Sequence, residues 1–585
     1  MPGLGQKPLK KIWNVLPRDR DREKILAAEL GLPELAVGVL LGRGLTEPDA
    51  IRAFLDPRLE DLHDPKLLPD FRPACDEILG ARERRERIFI HGDYDVDGVT
   101  SAALFFRYLR TIGCDVVGHV PHRIREGYGI HLDAVEKARQ SGAKLFLTCD
   151  CGVSAHEQVQ AAREAGMRVV VTDHHTVGNA LPEASAVINP HRKDSVYPFE
   201  DLSGVGVAFK LCAGLTEEIG LPLNKYYRAY IDLATLGTIA DMMPLRGENR
   251  IIARHGLAQL PHTNKIGLKA LMKAAAVEPR NRDRLRAYDV SFQLGPRLNA
   301  AGRLDDADIA YRLLVTSDPL EAEELARTID ELNRQRQSDQ KKIIEQAIAQ
   351  VESSPMRDAP IIVVAGEGWH AGVVGIVAGK LVEYFHRPAF VLAVDREANL
   401  AKGSGRSISG FNLYDIIKAH DGLVSGGGHA AAAGMSTAAD KIEEVVQKFT
   451  DYAKERITED MLVKEIRADA EAEASELTLA LAEAFERMEP FGNDNPTPVL
   501  CVRGVQFAQL KPTRHTEHPQ VVLVPRGAPS VRASAFGMGP RLSQEAMGWY
   551  ADCLVQIGVN EWNGRREPQW QLKDFDKVDD APLRS

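Results

Sequence analysis

Cysteine is scarce and scattered in this chain, seven in 585 residues. An odd, unpatterned set gives no disulfide framework, and reduced thiols are expected. Cys149 and Cys151 flank Asp150, but no second pair accompanies them to close a zinc site, so they read as small packing residues at a strand end. No apolar run is long enough to span a bilayer, and the first twenty residues lack the apolar core of a signal peptide. A cytoplasmic chain is the expectation. An excess of positive charge is missing too. At a net charge of −10, nucleic-acid binding cannot be inferred from overall charge and has to come from local basic patches. What is present is ordinary for globular protein, 44% hydrophobic and 27% charged, in a length that suggests about three to five domains.

One stretch stands out, Ile88-Phe-Ile-His-Gly-Asp-Tyr-Asp-Val-Asp-Gly-Val-Thr100. Apolar residues rise to His91, and Asp93, Asp95 and Asp97 follow at every second position before Gly98. Three carboxylates and an imidazole this close repel one another, and burying them is costly unless cations neutralise them. The segment before them has the pattern of a buried strand, and Val99 to Ile112 has helical spacing. The acids therefore sit at a strand-to-helix turn, where open α/β sheets place ligand crevices. An EF-hand would need a glutamate at the twelfth position from Asp93, which is Leu104. A merely solvated acidic turn is the plainer alternative.

The order of elements bears on that choice. Val116–Val120, Leu145–Thr148 and Arg168–Thr172 have strand character, and Leu132–Gln140 is a helix between the first two. Ser154 and Glu157 have the spacing of a capping box opening a further helix. The second of these strands delivers Asp150 and the third delivers Asp173, His174 and His175. Together with the strand before Asp93, these make three strands that each end in acids or histidines at one edge of a parallel sheet, which favours a metal site. Asp241, after the apolar helical segment Tyr230–Ala240, is weak evidence alone.

Farther along, Gly295-Pro-Arg-Leu-Asn-Ala-Ala-Gly-Arg303 sets two arginines beside glycines that permit close backbone approach. Asp318 and Pro319 form an N-cap and first-turn proline for a stretch without glycine or proline to about Glu352. As one helix it would span about 50 Å, a strut between domains whose polar middle crosses solvent. A second α/β unit begins at Pro360, with glycine-rich loops expected at Gly403–Arg406 and Ser425–His429. Neither loop fits a nucleotide fingerprint, so they offer backbone amides to phosphate or serve as plain turns. After about residue 455, short alternating segments separated by glycine and proline suggest a five-stranded OB-type barrel. Its Lys511, Arg514, His515 and Arg526 either line a single-strand groove or form an ordinary charged surface.

With His91, Asp95, Asp97, Asp150, Asp173-His174-His175 and Asp241 in this order, the chain resembles the DHH phosphoesterase family. Pro121-His-Arg-Ile-Arg-Glu-Gly-Tyr128, the Gly295–Arg303 motif, the Ser-Gly-Gly-Gly-His segment and the terminal barrel make it similar to the single-strand-specific 5′→3′ DNA exonucleases of that family. The resemblance runs from roughly residue 70 to residue 570.

It implies an α/β fold with a mostly parallel-sheet DHH domain joined by a long helix to a second α/β domain, plus a C-terminal OB-like β-barrel. The expected segments are a leader over 1–69, the DHH domain over 70–315 and a connecting helix over 316–355. A DHH-associated domain over 356–455, an OB-like domain over 456–577 and a tail over 578–585 complete the chain. Two ions, Mn²⁺ or Mg²⁺, are implied. One would be held by His91, Asp95 and Asp150, the other by Asp97, His174 and Asp241. Asp150 would bridge them, and Asp93 would lie behind them or shift with occupancy. Asp95, Asp97, Asp150, His174 and His175 form the implied catalytic set, with His175 toward the substrate phosphate. Arg123, Tyr128, Arg297, Arg303, Ser404, Arg406 and His429 are the implied DNA or phosphate contacts. The partners implied are single-stranded DNA, a single-strand-binding protein and a helicase. The rival within the family is a phosphodiesterase acting on short RNA oligomers or cyclic dinucleotides.

Overall fold

A computed structural model describes residues 11–123, 126–127, 129–279, 283–511, 513–514, 516–542, 547–562 and 564–578. The chain forms two compact units. One comprises residues 57–338 with 490–496, and the other holds the described parts of 1–56, 339–489 and 497–585.

In the second unit the N-terminal strand β1 (Lys11–Val15) is paired in parallel with Lys464–Ala468 far along the chain. The N-terminal segment is thus built into the C-terminal part of the fold. Lys11 Nζ and Trp13 Nε1 both donate to the Asp574 carboxylate, at 2.6 and 2.8 Å.

The first unit is organised by a five-stranded parallel sheet. Its strands are β2 (Arg87–Gly92), β3 (Asp115–His119), β4 (Leu145–Cys149), β5 (Arg168–Thr172) and β6 (Ala186–Ile188), in spatial order β3-β2-β4-β5-β6. Both faces are covered. Ile88, Ile90, Leu145, Leu147 and Val170 enter one core, while Phe89, Phe146, Val169 and Val171 enter the other. That explains strands that are apolar at nearly every position instead of alternating. Each such side chain stabilises the fold by about 1.5–3 kcal/mol when buried, enough in sum to hold the strand ends rigid. The order reverses between β2 and β4, the switch point at which ligands bind in open sheets.

Two sequence expectations need correction here. Ser154 does not cap the next helix, which runs His156–Glu164 with Ala155 at its N-cap and no side-chain cap bond. The long helix is present as Pro319–Glu352, 34 residues, entered through the Asp318 side chain accepting from Leu320 N. Its polar middle, however, is not all solvated. Asp330, Asn333 and Arg336 are buried, because Asp330 receives Arg297 Nε at 2.9 Å and Asn333 receives Arg336.

The second unit carries a five-stranded mixed sheet of β7 (Ile362–Glu367), β8 (Ala389–Asp395), β9 (Leu400–Arg406), β10 (Ser425–Gly428) and β11 (Ala432–Thr437). The two glycine-rich stretches expected as loops are therefore strands. A Cβ on Gly405 would meet the Phe390 ring at 2.6 Å, and one on Gly403 would meet Leu392 at 2.9 Å, so bulky neighbours occupy the space.

After β12 (Lys464–Ala468) and β13 (Ala470–Glu471), the same unit ends in a closed barrel of β14 (Leu500–Lys511), β15 (Gln520–Val524), β16 (Val531–Ser534), β17 (Tyr550–Trp562) and β18 (Arg565–Val578). Pairing runs β14-β15-β16-β18-β17 and closes from β17 back to β14, the five-stranded plan of an OB fold. All seven cysteines are buried and unpaired. Among the described residues no single helix is long and apolar enough to cross a membrane.

Candidate metal centre

In register, Gly92 of β2 lies opposite Cys149 of β4, which lies opposite Thr172 of β5. The next residues are Asp93, Asp150 and Asp173, so three carboxylates leave the sheet at one level. Asp95 is the N-cap of the helix Val96–Thr111, accepting from Asp97 N at 2.9 Å and Gly98 N at 3.1 Å. That helix begins three residues earlier than its apolar spacing suggests and carries Asp97 in its first turn.

Asp97 is held from a second direction. Its carboxylate accepts from Gly204 N at 2.6 Å and Val205 N at 2.8 Å, at the start of the helix Gly204–Glu218. The N-terminal end of a helix favours negative charge, and here it fixes a carboxylate whose remaining lone pairs stay available. Glycine is required at 204, where a Cβ would lie 2.6 Å from the Asp150 Cβ.

Two groups of side chains converge, and a third, Asp150–His174–His175, shares a member with each of them. Ligand atoms of Asp97, His174 and Asp241 lie within 4.8 Å of one another, as do those of Asp93, Asp95 and Asp150. His174 Nε2 stands 3.1 Å from Asp150 Oδ1 and 3.7 Å from both Asp97 and Asp241, which joins the groups. The 3.1 Å approach lacks hydrogen-bond alignment, and Asp150 Oδ1 is otherwise a buried acceptor without a partner. His91 falls outside both groups. Its Nε2 faces Gly129 O at 3.2 Å, and its buried Nδ1 has no partner.

Electrostatics marks the same spot. Burial, and then the charge of neighbouring carboxylates, pushes Asp93 up to about 8, Asp97 to about 7 and Asp241 to about 9, with Asp150 well above the carboxylate range. Burial holds His91 down at about 3 and His174 at about 4, so both are neutral imidazoles with a lone pair to offer. His175 differs. Burial opposes its charge, but the 2.7 Å bond from Nδ1 to Asp173 outweighs that and raises it to about 9. Asp173, receiving also Val153 N, His174 N and His175 N, is a holder of that imidazolium and not an open donor.

Backbone strain is concentrated here as well. Asp150 and Met242, the residue after Asp241, both have positive φ, +62° and +57°. The Gly295–Arg303 motif explains itself at the same place. Helix Gly295–Leu304 sets Gly295 beside Ala240, where a Cβ would lie 3.3 Å away. It sets Gly302 against the Tyr94 carbonyl, 2.8 Å from a Cβ. One small residue thus packs on each of two acid-bearing turns.

A residue that sequence reasoning missed is Asn493. Its Nδ2 donates to Met242 O at 2.7 Å and its own carbonyl accepts from Leu245 N at 2.9 Å, bracketing the turn after Asp241. Its only trace in the sequence is a cluster of turn-forming residues, Gly-Asn-Asp-Asn-Pro.

The expected phosphate contacts are dispersed. Arg123 lies over the Tyr94 ring at 4.9 Å, beside the acid-bearing turn. Arg297 is committed to Asp330 and to Gln293 O, and Arg303 lies in the last turn of its helix. In the other unit, Arg406 donates to Ser404 Oγ at 3.0 Å and to Gly405 O, and exposed His429 stands at the turn between β10 and β11. Tyr128 and His515 lie outside the described residues.

The donor set, mixed carboxylate and neutral imidazole with unpartnered buried atoms, fits divalent cations of the Mn²⁺ or Mg²⁺ kind. The comparisons agree. Residues 87–238 match the DHH family N-terminal domain and residues 358–455 the DHHA1 domain. The fold and site define a protein of the DHH phosphoesterase class. Residues 468–574 match the RecJ OB domain.

The chain is 36% identical to the single-stranded-DNA-specific exonuclease RecJ of Bacillus subtilis, over 97% of this chain and 71% of that one. It is 36% identical to RecJ of Dickeya dadantii over 93% and 96%. The crystal structure of RecJ in complex with Mn²⁺ from Thermus thermophilus superposes with a TM-score of 0.82 at 29% identity, covering 98% of this chain and 80% of that one. The corresponding Mg²⁺ complex gives 0.77 at 28% identity, covering 98% and 79%. The chain belongs to the RecJ family of exonucleases.

Proposed function

We propose that this chain is a metal-dependent exonuclease that degrades single-stranded DNA from the 5′ end to nucleoside 5′-monophosphates in DNA repair and recombination. The observation that carries the reading is the meeting of Asp97–His174–Asp241 with Asp93–Asp95–Asp150 through Asp150 and His174. We assign one cation to Asp97, His174 and Asp241, a second to Asp95, Asp150 and His91 with Asp93 in support, and Asp150 to both. When bound, such a pair relieves the repulsion between an anionic phosphodiester and its nucleophile and eases deprotonation of water near neutral pH.

The protein's own groups do the rest. Asp173 keeps His175 protonated, with a ligand atom within 4.8 Å of those of Asp150 and His174. His175 therefore offers positive charge and a proton beside the reacting phosphate. Gly204 N and Val205 N hold Asp97 in place through the chemical step. Arg123, Tyr128 and Arg303 are our candidates for steadying DNA in the first unit, and Ser404, Arg406 and His429 for gripping a phosphate in the second. Arg297, being bound to Asp330, acts by fixing helix Gly295–Leu304. The barrel provides the single-strand surface. A cytoplasmic setting, with a single-strand-binding protein and a helicase as partners, belongs to the same reading.

An end-labelled single strand incubated with Mn²⁺ tests it. The expected products are mononucleotides released from the 5′ end, with duplex untouched. Release from the 3′ end, or cleavage confined to oligomers of a few nucleotides, overturns it.

A further inference from the structure

Among the described residues only Val290–Leu294 is π-helical. Such wide turns are rare and concentrate at functional sites. Its inward side chains, Val290 and Leu294, are fully buried. On the outside Phe292 is 61% exposed and Tyr288, one turn earlier, 53%. Their rings are stacked, with centroids 4.8 Å apart and planes 28° from parallel, and the Arg286 guanidinium lies 5.8 Å from the Tyr288 ring centre.

Single exposed apolar side chains need no explanation, but a stacked pair with a cation beside it is a surface with a specific chemistry. Its place is specific too. The π-helix leads directly into Gly295, which abuts Ala240. Ala240 ends the helix whose next residues are Asp241, a member of the metal centre, and Met242, 70% exposed. Phe292 therefore stands about one helical turn, and Tyr288 about two, along the chain from a contact with the metal-bearing segment.

We propose that Tyr288 and Phe292 form a stacking platform for a nucleobase of the single strand. The platform would hold the strand beside the metal centre without regard to sequence, since every base has a π-face. Arg286 would add positive charge along the backbone. The proposal rests on the exonuclease reading and adds to it a base-recognition element.

The test is a walk of one abasic site along a labelled oligonucleotide, read by fluorescence anisotropy with full-length protein in EDTA, where no cleavage occurs. For the wild type, one or two positions should lose affinity by roughly 5- to 150-fold, the range of a single base stacked on an aromatic side chain. In Tyr288→Ala/Phe292→Ala that positional penalty should vanish while the other positions stay unchanged. The swap Tyr288→Phe/Phe292→Tyr, which keeps both π-faces, should retain it. If the alanine pair fails to show the wild-type rise in melting temperature with Mn²⁺, Tyr288→Leu/Phe292→Leu replaces it, keeping apolar bulk without a π-face.

The same penalty profile in wild type and variant, or a loss equal at every position, overturns the platform. Wild-type cleavage of the intact strand with Mn²⁺ is measured alongside. A wild type that cuts but shows no positional penalty defeats the platform alone, whereas one that neither binds nor cuts defeats the exonuclease reading.

Discussion

Two clusters of buried polar side chains lie in the same unit and have opposite characters. Both oxygens of the Glu248 carboxylate are partnered. Lys210 Nζ lies 2.9 Å from Oε1, Tyr197 OH donates to Oε2 at 2.6 Å, His63 N donates to Oε1 at 3.0 Å, and Lys210 Nζ also reaches His63 O. Around Asp150 the balance fails. Acids crowd acids, a carboxylate oxygen and an imidazole nitrogen are buried without partners, and several carboxyl groups are pushed toward the protonated form. A fold can satisfy a buried charge when selection asks only for stability, as Glu248 shows. An unsatisfied cluster in the same unit is therefore a place where stability has been set against binding and chemistry.

The sharpest way to break this comparison is Asp150→Ala. Hydrolysis should fall by roughly three orders of magnitude or more, the scale of losing a central electrostatic group. The wild type should gain about 2.7 kcal/mol of stability at Mn²⁺ a hundredfold above its dissociation constant, and the variant little of it. Metal-free, the variant should melt close to the wild type, because the repulsion it relieves offsets the cost of alanine at a φ of +62°. A clearly lower metal-free melting temperature would show that Asp150 is a structural group like Glu248.

Glu248→Gln is the converse. It strands the Lys210 ammonium in a dry site and should cost about 3–5 kcal/mol of stability, measured by urea unfolding. Hydrolysis per folded molecule should change less than twofold. A smaller effect follows from protons. Carboxyl groups raised in the folded state bind more protons there than when unfolded. Their stabilising protonation is complete below about pH 4, the ordinary carboxylate value. It is lost as pH rises through about 7 to 9. Metal-stripped protein should thus lose melting temperature between pH 5 and pH 9, and saturating Mn²⁺ should flatten the slope. Equal slopes with and without Mn²⁺ would detach these acids from the metal.

How much of this was legible in the chain depends on the distance over which each cause acts. The alternating acids after His91 are a local pattern, and with the strand periods around Leu145 and Arg168 they locate the centre. The Gly403–Arg406 and Ser425–Gly428 segments look like loops because glycine disfavours strands. What makes β9 a strand is the bulk of Phe390 and Leu392 on its neighbour, which no local window contains. The middle of the long helix looks solvated until Arg297, 33 residues away, is found on Asp330.

Asn493 is the extreme case, 251 residues from the carbonyl it binds, and it supplies the mildest prediction. Its hydrogen bonds go to Met242 and Leu245, clamping both sides of a turn in which Met242 is held at positive φ directly after Asp241. Asn493→Ala removes the side-chain bond and leaves the backbone one, so the turn should loosen without unfolding. About tenfold lower kcat is expected, equivalent to about 1.4 kcal/mol, the scale of one such bond, with KM for the strand unchanged. The Mn²⁺ concentration giving half-maximal rate should rise with it, because Asp241 is the proposed ligand that the loosened turn would displace. A purely structural role would lower the melting temperature and leave that Mn²⁺ dependence where it was. Asn493 would then be grouped with Glu248 on the satisfied side of the comparison.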